Sequence, residues 1–207
     1  MISLTDELTD SAIARFADGQ PAILLWDHGN KDTPAEIIVA GQHAATPAVA
    51  FMVRHGSGLI RVAMTDDDAD RLDLPTMFLP GTRNLDARDT VAVDAREGVT
   101  TGISAADRAH TIQVLASPTA TPDDLTRPGH VIPMRVGGLA ARIPSLPAAA
   151  LKIANKAGLR PVVALCTLVS DVDPSNMATL TEGQQFAEQH DMPCFYASHL
   201  HGNPERC

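Results

Sequence analysis

The stretch from Val162 to Val169 most narrows what this chain can fold into. It is short, almost continuously apolar and broken only by Thr167. That pattern belongs to a strand covered on both faces rather than one with a wet side. The partners of such a strand are legible nearby. Ala22 to Trp26 is a second short apolar run, Glu36 to Ala40 a third and Leu59 to Met64 a fourth. Thr90 to Asp94 alternates as a strand does, and Pro193 to Ala197 reads as the last one. Leu4 to Asp18 carries Leu8, Ile13 and Phe16 near helical spacing, with Gly19 placed to end it. Thr46 to Val53 reads as a helix with Pro47 in its first turn. Ser104 to Leu115 and Thr181 to His190 are further helices. The run Asp66-Asp67-Asp68 opens a short helix to Leu72, because carboxylates favour a helix N-terminus; a helix start accounts for the run better than a metal site does. Strands and helices mix without strict alternation, which predicts a layered α+β or mixed α/β domain spanning residues 1–207.

Charge and composition exclude several function classes. The net charge is -9 and the pI about 5.2, so the chain offers no basic face to a phosphate backbone. Aromatics make up 3% of residues, too few for a base-stacking platform, and the core must be built from Ala, Val, Leu and Ile. Nucleic acid is not an expected partner. No apolar run approaches the ~20 residues that span a bilayer. The polar, acidic segment Met1 to Asp10 is unlike a signal peptide, so a cytoplasmic protein with no membrane partner is expected. Cys166, Cys194 and Cys207 have no metal-ligand spacing, and Cys166 reads as a buried small hydrophobe.

Three segments carry chemistry. The first is Arg54-His55-Gly56-Ser57-Gly58, followed by Asp73-Leu74-Pro75. The second runs from Glu97 through Gly98-Val99-Thr100-Thr101-Gly102-Ile103-Ser104 to Arg108. The third is Arg127-Pro128-Gly129-His130-Val131-Ile132-Pro133-Met134-Arg135. In the second, Gly98 and Gly102 permit positive φ or close approach, and Thr100, Thr101 and Ser104 supply hydroxyls at a helix start that can hold an anion. Arg108 adds a bidentate donor for phosphate or carboxylate. The competing account is that the loop fixes the domain's own turn and pairs Asp107 with an arginine. In the third, a Pro-Gly turn places His130 on a loop, where it can move a proton near neutral pH.

In this order and spacing the segments resemble 3,4-dihydroxy-2-butanone 4-phosphate synthase, over roughly Ala14 to Ala197. The resemblance implies that family's single-domain fold, without the fused GTP cyclohydrolase II domain of some relatives because the chain ends too soon. It also implies a homodimer whose active site lies at the interface, with His130 reaching toward it. The family reaction removes one carbon of ribulose 5-phosphate as formate, with acids and bases to enolise the sugar and Mg2+ to hold vicinal oxygens. Its carboxylates come from a loop resembling Asp-Asp-Glu-Asp-Arg-Glu-Asn-Glu-Gly-Asp, from a Cys-Glu pair, and its second metal ligand from Arg-Gly-Gly-His-Thr.

This chain departs at all three places. The acidic loop reads Trp26-Asp27-His28-Gly29-Asn30-Lys31-Asp32-Thr33-Pro34-Ala35-Glu36, with Lys31 or Thr33 where the metal carboxylate is expected. The histidine segment reads Arg142-Ile143-Pro144-Ser145-Leu146, and the Cys-Glu pair is Cys166-Thr167. A lysine opposes a divalent cation rather than binding it. Asp27, Asp32 and Glu36 lie close enough in sequence to compensate.

The first expectation is therefore a diverged enzyme running lyase- or isomerase-type proton transfer on a small, oxygen-rich, anionic substrate. Its catalytic candidates are His130, Lys31, Asp27, His28 and Asp32. Its substrate contacts would come from Arg142, Arg108, Thr100, Thr101, Ser104 and Thr167, and it would hold no metal. The alternatives are an authentic synthase, which would need Mg2+, and a non-catalytic binding or partner protein.

Overall fold

The computed structural model describes residues 4–27, 33–77, 87–137 and 145–200. In chain order its elements are α1 (Leu4–Ala17), β1 (Ala22–Leu25), β2 (Glu36–Ala40), α2 (Thr46–His55), β3 (Arg61–Thr65) and α3 (Asp66–Arg71). There follow β4 (Ala87–Asp89), β5 (Val93–Ala95), α4 (Ala105–Ala116), β6 (Leu125–Val136), α5 (Leu146–Lys156), β7 (Val162–Thr167), α6 (Leu180–Gln189) and β8 (Cys194–Tyr196). The strands form one mixed sheet in the order β4-β6-β3-β7-β2-β1-β8, with β5 paired to the other half of β6. β3 and β6 run parallel, as do β1 and β8. β7 sits between β2 and β3, antiparallel to both. That central place explains its apolar sequence, since both its faces are roofed.

Alternate residues of each strand feed two cores. On one face Ile37, Val62, Ala164 and Cys166 pack with Met52 of α2, Ile112 of α4 and Phe186 of α6. On the other, Leu24, Ile38, Ala63 and Leu165 pack with Phe16 of α1 and with Leu151 and Ile153 of α5. Both clusters are aliphatic and alanine-rich, as the scarcity of aromatics requires. The layered mixed α/β fold expected from sequence is the one observed.

The aspartate run behaves as a helix start. Thr65 caps α3 by accepting from the Asp68 N–H at 3.2 Å. Asp66 pairs with Arg88 and Arg135, and Asp68 with Arg71 and Arg160, so arginines take up that negative charge. Among the described residues, no helix is long and apolar enough to cross a membrane.

Three elements differ from expectation. His130 lies within β6, not on a loop, because β5 and β3 hydrogen-bond the chain to either side of it. The segment read as one strand from Thr90 to Asp94 is instead β5 at Val93–Ala95, preceded by the separate β4. α5 was not anticipated, although Ser145 caps it by accepting from the Ala148 N–H at 3.3 Å.

Candidate active site

The loop before α4 is organised by one carboxylate. Asp107, 5% exposed, accepts from the Thr100 hydroxyl at 2.8 Å and from the Thr100 and Gly102 N–H groups, both at 3.1 Å. Ser104 caps α4 by accepting from the Asp107 N–H at 3.0 Å. These bonds favour the ionised carboxylate, the Thr100 hydroxyl foremost, and hold its pKa below the ordinary value. Gly98 and Gly102 adopt φ of +76° and +85°, which glycine accepts without strain. The loop thus fixes its own turn, but Asp107 is satisfied by Thr100 and Gly102 rather than by an arginine. Arg108 is buried, and its Nη1 donates to the Gly58 carbonyl at 2.9 Å, tying α4 to the Gly56–Gly58 segment. Thr100, Thr101 and Ser104 lie exposed along the loop.

This loop packs against His130. A Cβ on Gly102 would lie 2.0 Å from Asp94 Oδ2 and 2.7 Å from His130 Nδ1, so only glycine fits. Asp94, on β5 and 7% exposed, holds the histidine twice. Its Oδ1 accepts the His130 backbone N–H at 2.9 Å, and its Oδ2 lies 2.8 Å from Nδ1. An ionised Asp94 keeps the proton on Nδ1 and leaves Nε2 to accept or give one, the arrangement of an oriented general base. The imidazole is 39% exposed, open enough to meet a substrate. Asp94 was missed in the sequence. Its signal was a lone acid between Val93 and Ala95 in a strand pattern.

A second polar cluster closes the sheet where β2, β3 and β7 meet. Glu36 is the cross-strand partner of Thr167, and Arg61 that of Leu165. Glu36 is 4% exposed. Its Oε1 accepts from Arg61 Nη2 at 2.7 Å and from the Thr167 hydroxyl at 3.0 Å. Its Oε2 is buried without a hydrogen-bond partner. Burial pushes the Glu36 pKa up to about 7 against the opposing pull of Arg61 and Thr167. Thr167 is therefore spent on Glu36. Cys166, one residue earlier, is fully buried on the opposite core, and burial pushes its thiol pKa up.

Of the remaining catalytic candidates, Asp27 alone lies among the described residues. Asp27 is exposed and accepts from the Ser198 N–H at 2.9 Å and from the Ser198 hydroxyl. His28, Lys31, Asp32 and Arg142 lie outside the described residues. Among the described residues no three His, Cys, Asp or Glu side chains gather as a metal site. Among the described residues Glu36 Oε2 and Asp89 Oδ1 are buried carboxylate oxygens without a hydrogen-bond partner, and the other oxygen of Glu36 already holds a guanidinium. Mg2+ is held by one or two carboxylates together with water and substrate oxygens, and segments 28–32 and 142–144, where the resemblance sets its ligands, lie outside the described residues.

The family match for 3,4-dihydroxy-2-butanone 4-phosphate synthase spans residues 10–202. The chain belongs to that family. It is 44% identical over 185 residues to the riboflavin biosynthesis protein RibBA of Nocardia farcinica, covering 88% of this chain and 44% of that protein. RibBA of Salinispora arenicola is 43% identical over 185 residues, covering 88% and 43%. The chain thus spans less than half the length of these relatives. The solved synthase of Candida albicans superposes with a TM-score of 0.82 at 33% identity, over 92% of this chain and 94% of that one. A synthase solved in complex with two magnesium ions gives 0.81 at 33% identity, over 91% and 92%. The Glu36–Arg61–Thr167 cluster includes Thr167, the residue that the resemblance sets at the glutamate of the Cys-Glu pair.

Proposed function

We propose that this chain is a 3,4-dihydroxy-2-butanone 4-phosphate synthase that converts ribulose 5-phosphate to dihydroxybutanone phosphate and formate. The expectation of a diverged enzyme thereby gives way to its alternative. The observation that carries this reading is the match to solved synthases at 33% identity over 91–92% of the chain, together with the His130–Asp94 pair formed in this structure. The reaction balances without water or oxidant, since the five carbons of the sugar phosphate divide between a four-carbon ketone phosphate and formate. What it asks of the protein is proton movement at carbon and oxygen, and His130 Nε2, held in one tautomer by Asp94, is built for that.

The site works at a homodimer interface in this reading. Leu59 and Ile103, 54% and 53% exposed, flank the Gly58–Arg108 contact and give a second copy an apolar surface to cover. The substrate's phosphate is assigned to Arg142 and to the exposed Thr101, while Thr100, whose hydroxyl donates to Asp107, and buried Arg108 hold the loop that presents it. The catalytic assignments of Asp27, His28, Lys31 and Asp32 belong to the same proposal.

Incubation of purified protein with ribulose 5-phosphate and Mg2+, with formate measured enzymatically, is expected to give one formate per sugar consumed. No formate at high enzyme concentration sinks the synthase reading. A second reading, different proton-transfer chemistry on a related small anion, draws on one observation: a carboxylate–guanidinium pair stands beside Thr167. Consumption of a sugar phosphate without formate is its signature.

A further inference from the structure

We infer that Glu36 supplies the proton-transfer carboxylate that position 167 lacks, handed across one strand pairing from β7 to β2. The inference rests on the synthase reading above and deepens it. Four observations carry it. Glu36 and Thr167 are direct cross-strand partners on the same face, so a carboxylate on either backbone position reaches the same small volume. The Thr167 hydroxyl donates to Glu36 Oε1 at 3.0 Å, which places the carboxylate over the threonine. Arg61, 26% exposed at its side chain, fixes Oε1 from the β3 side at 2.7 Å. Oε2, by contrast, is buried with no partner.

An unsatisfied buried carboxylate oxygen is costly, and a merely structural ion pair gains nothing by keeping one. A group that must take up and release a proton does need one oxygen left open. Position adds to this. Glu36 begins β2, and Thr167 ends β7, where Leu168 and Val169 continue the chain as β-bridges to Gly56 and Met177. Both are therefore at the sheet's end, where Arg61 pairs with Ile132 two residues from His130.

In the step envisaged, Oε2 of the Glu36 carboxylate takes a proton from the substrate and becomes the acid. A later step returns that proton to a substrate oxygen or carbon. Arg61 and Thr167 stay on Oε1 throughout, stabilising the charged form without competing for Oε2. No co-reactant is required. The groups facing Glu36 are Arg61 from β3 and Thr167 from β7, with Cys166 reached only through its field.

The test compares the parent, Glu36→Gln, and Glu36→Gln combined with Thr167→Glu, each assayed for formate from ribulose 5-phosphate across pH 5.5–9. The pH range and readout are chosen because a structural glutamate, replaced by an amide of the same shape, would leave kcat and its profile in place. The expected result is a kcat lower by about 100-fold or more in the single variant, with KM changed less than about threefold and one limb of the pH profile gone. The double variant is expected to recover at least about tenfold, because the carboxylate is restored from the facing strand. A folded single variant within about threefold of the parent overturns the role of Glu36 while leaving the synthase reading standing. A parent that makes no formate overturns the reading itself and Glu36's role with it. Where the single variant fails to fold, the double variant decides: formate production supports the inference, and a folded but inactive protein refutes it.

Discussion

Asp107 and Glu36 are both buried carboxylates, 5% and 4% exposed, and the fold treats them in opposite ways. Asp107 collects a hydroxyl and two backbone N–H groups within its own loop, and these donors hold its pKa down. Glu36 meets one guanidinium and one hydroxyl from distant strands, both on a single oxygen, and burial outweighs them. The difference shows what decides the charge of a buried acid: how many donors reach it and how much water it loses. Asp107 organises its loop in the charged form that these donors favour. Glu36 stands near the point where either protonation state is accessible at neutral pH.

The harshest break of this comparison removes the proton carrier beside the organised loop. His130→Ala is expected to lower formate production by about 10²–10⁴-fold, the range of a lost general acid–base. Its unfolding midpoint should stay close to the parent's, since the imidazole is 39% exposed. An activity within about threefold of the parent would take the dyad out of the chemistry.

The next test uses sign. The Glu36 pKa is raised from 4.5 to about 7, so its protonated form contributes stability that is whole below about 4.5 and lost as pH rises through about 7. Urea unfolding should therefore find Glu36→Gln gaining on the parent between those values, by about 3 kcal/mol in total from a shift of that size, and level above them. Asp107→Asn should behave oppositely. A depressed pKa contributes stability above the ordinary value of 3.8, lost only as pH falls below it, so this variant's deficit should persist at neutral pH and shrink in acid. Parallel pH trends in the two variants would contradict the contrast.

A milder perturbation tests the tautomer. Asp94→Asn keeps the shape of the contact to His130 but offers an amide to Nδ1. Loss of the oriented tautomer should cost about 10–100-fold in kcat, with KM little changed. Equal kcat would mean that Asp94 serves only the β5–β6 bulge.

These residues also mark how far the sequence could be read. β2 starts and ends at Glu36 and Ala40, as its apolar run indicates, and the aspartate run opens α3 as the dipole argument requires. Local periodicity and capping suffice for such elements, because the interactions that specify them lie within a few residues. β6 was hidden because Arg127, Pro128, Gly129 and His130 have little strand propensity of their own; pairing with β5, β4 and β3 holds them extended. α5 carried a readable start in Ser145 and Pro147, but its alanine-rich body confines polar residues to Lys152, Asn155 and Lys156 near its end. Glu36 was legible as one of three acids able to stand in for the missing ones. Its burial was not, because the partners that define it lie 25 and 131 positions away.

Cys166 gives the gentlest test, and it separates neighbourhood from role. The thiol is fully buried, 3.6 Å from the Met52 carbonyl and 3.7 Å from the Ser57 hydroxyl, and a Cβ on Gly56 would lie 2.5 Å from its sulfur. Such packing fills space, and burial holds the thiol protonated, the unreactive form. Cys166→Ala should cost about 1 kcal/mol of stability for one buried heavy atom and leave turnover within about twofold. Native protein should also resist alkylation at Cys166 until it unfolds. Rapid labelling under native conditions, or a turnover loss approaching that of Glu36→Gln, would show that the chemistry at this end of the sheet belongs to the sulfur on one face and not to the carboxylate on the other.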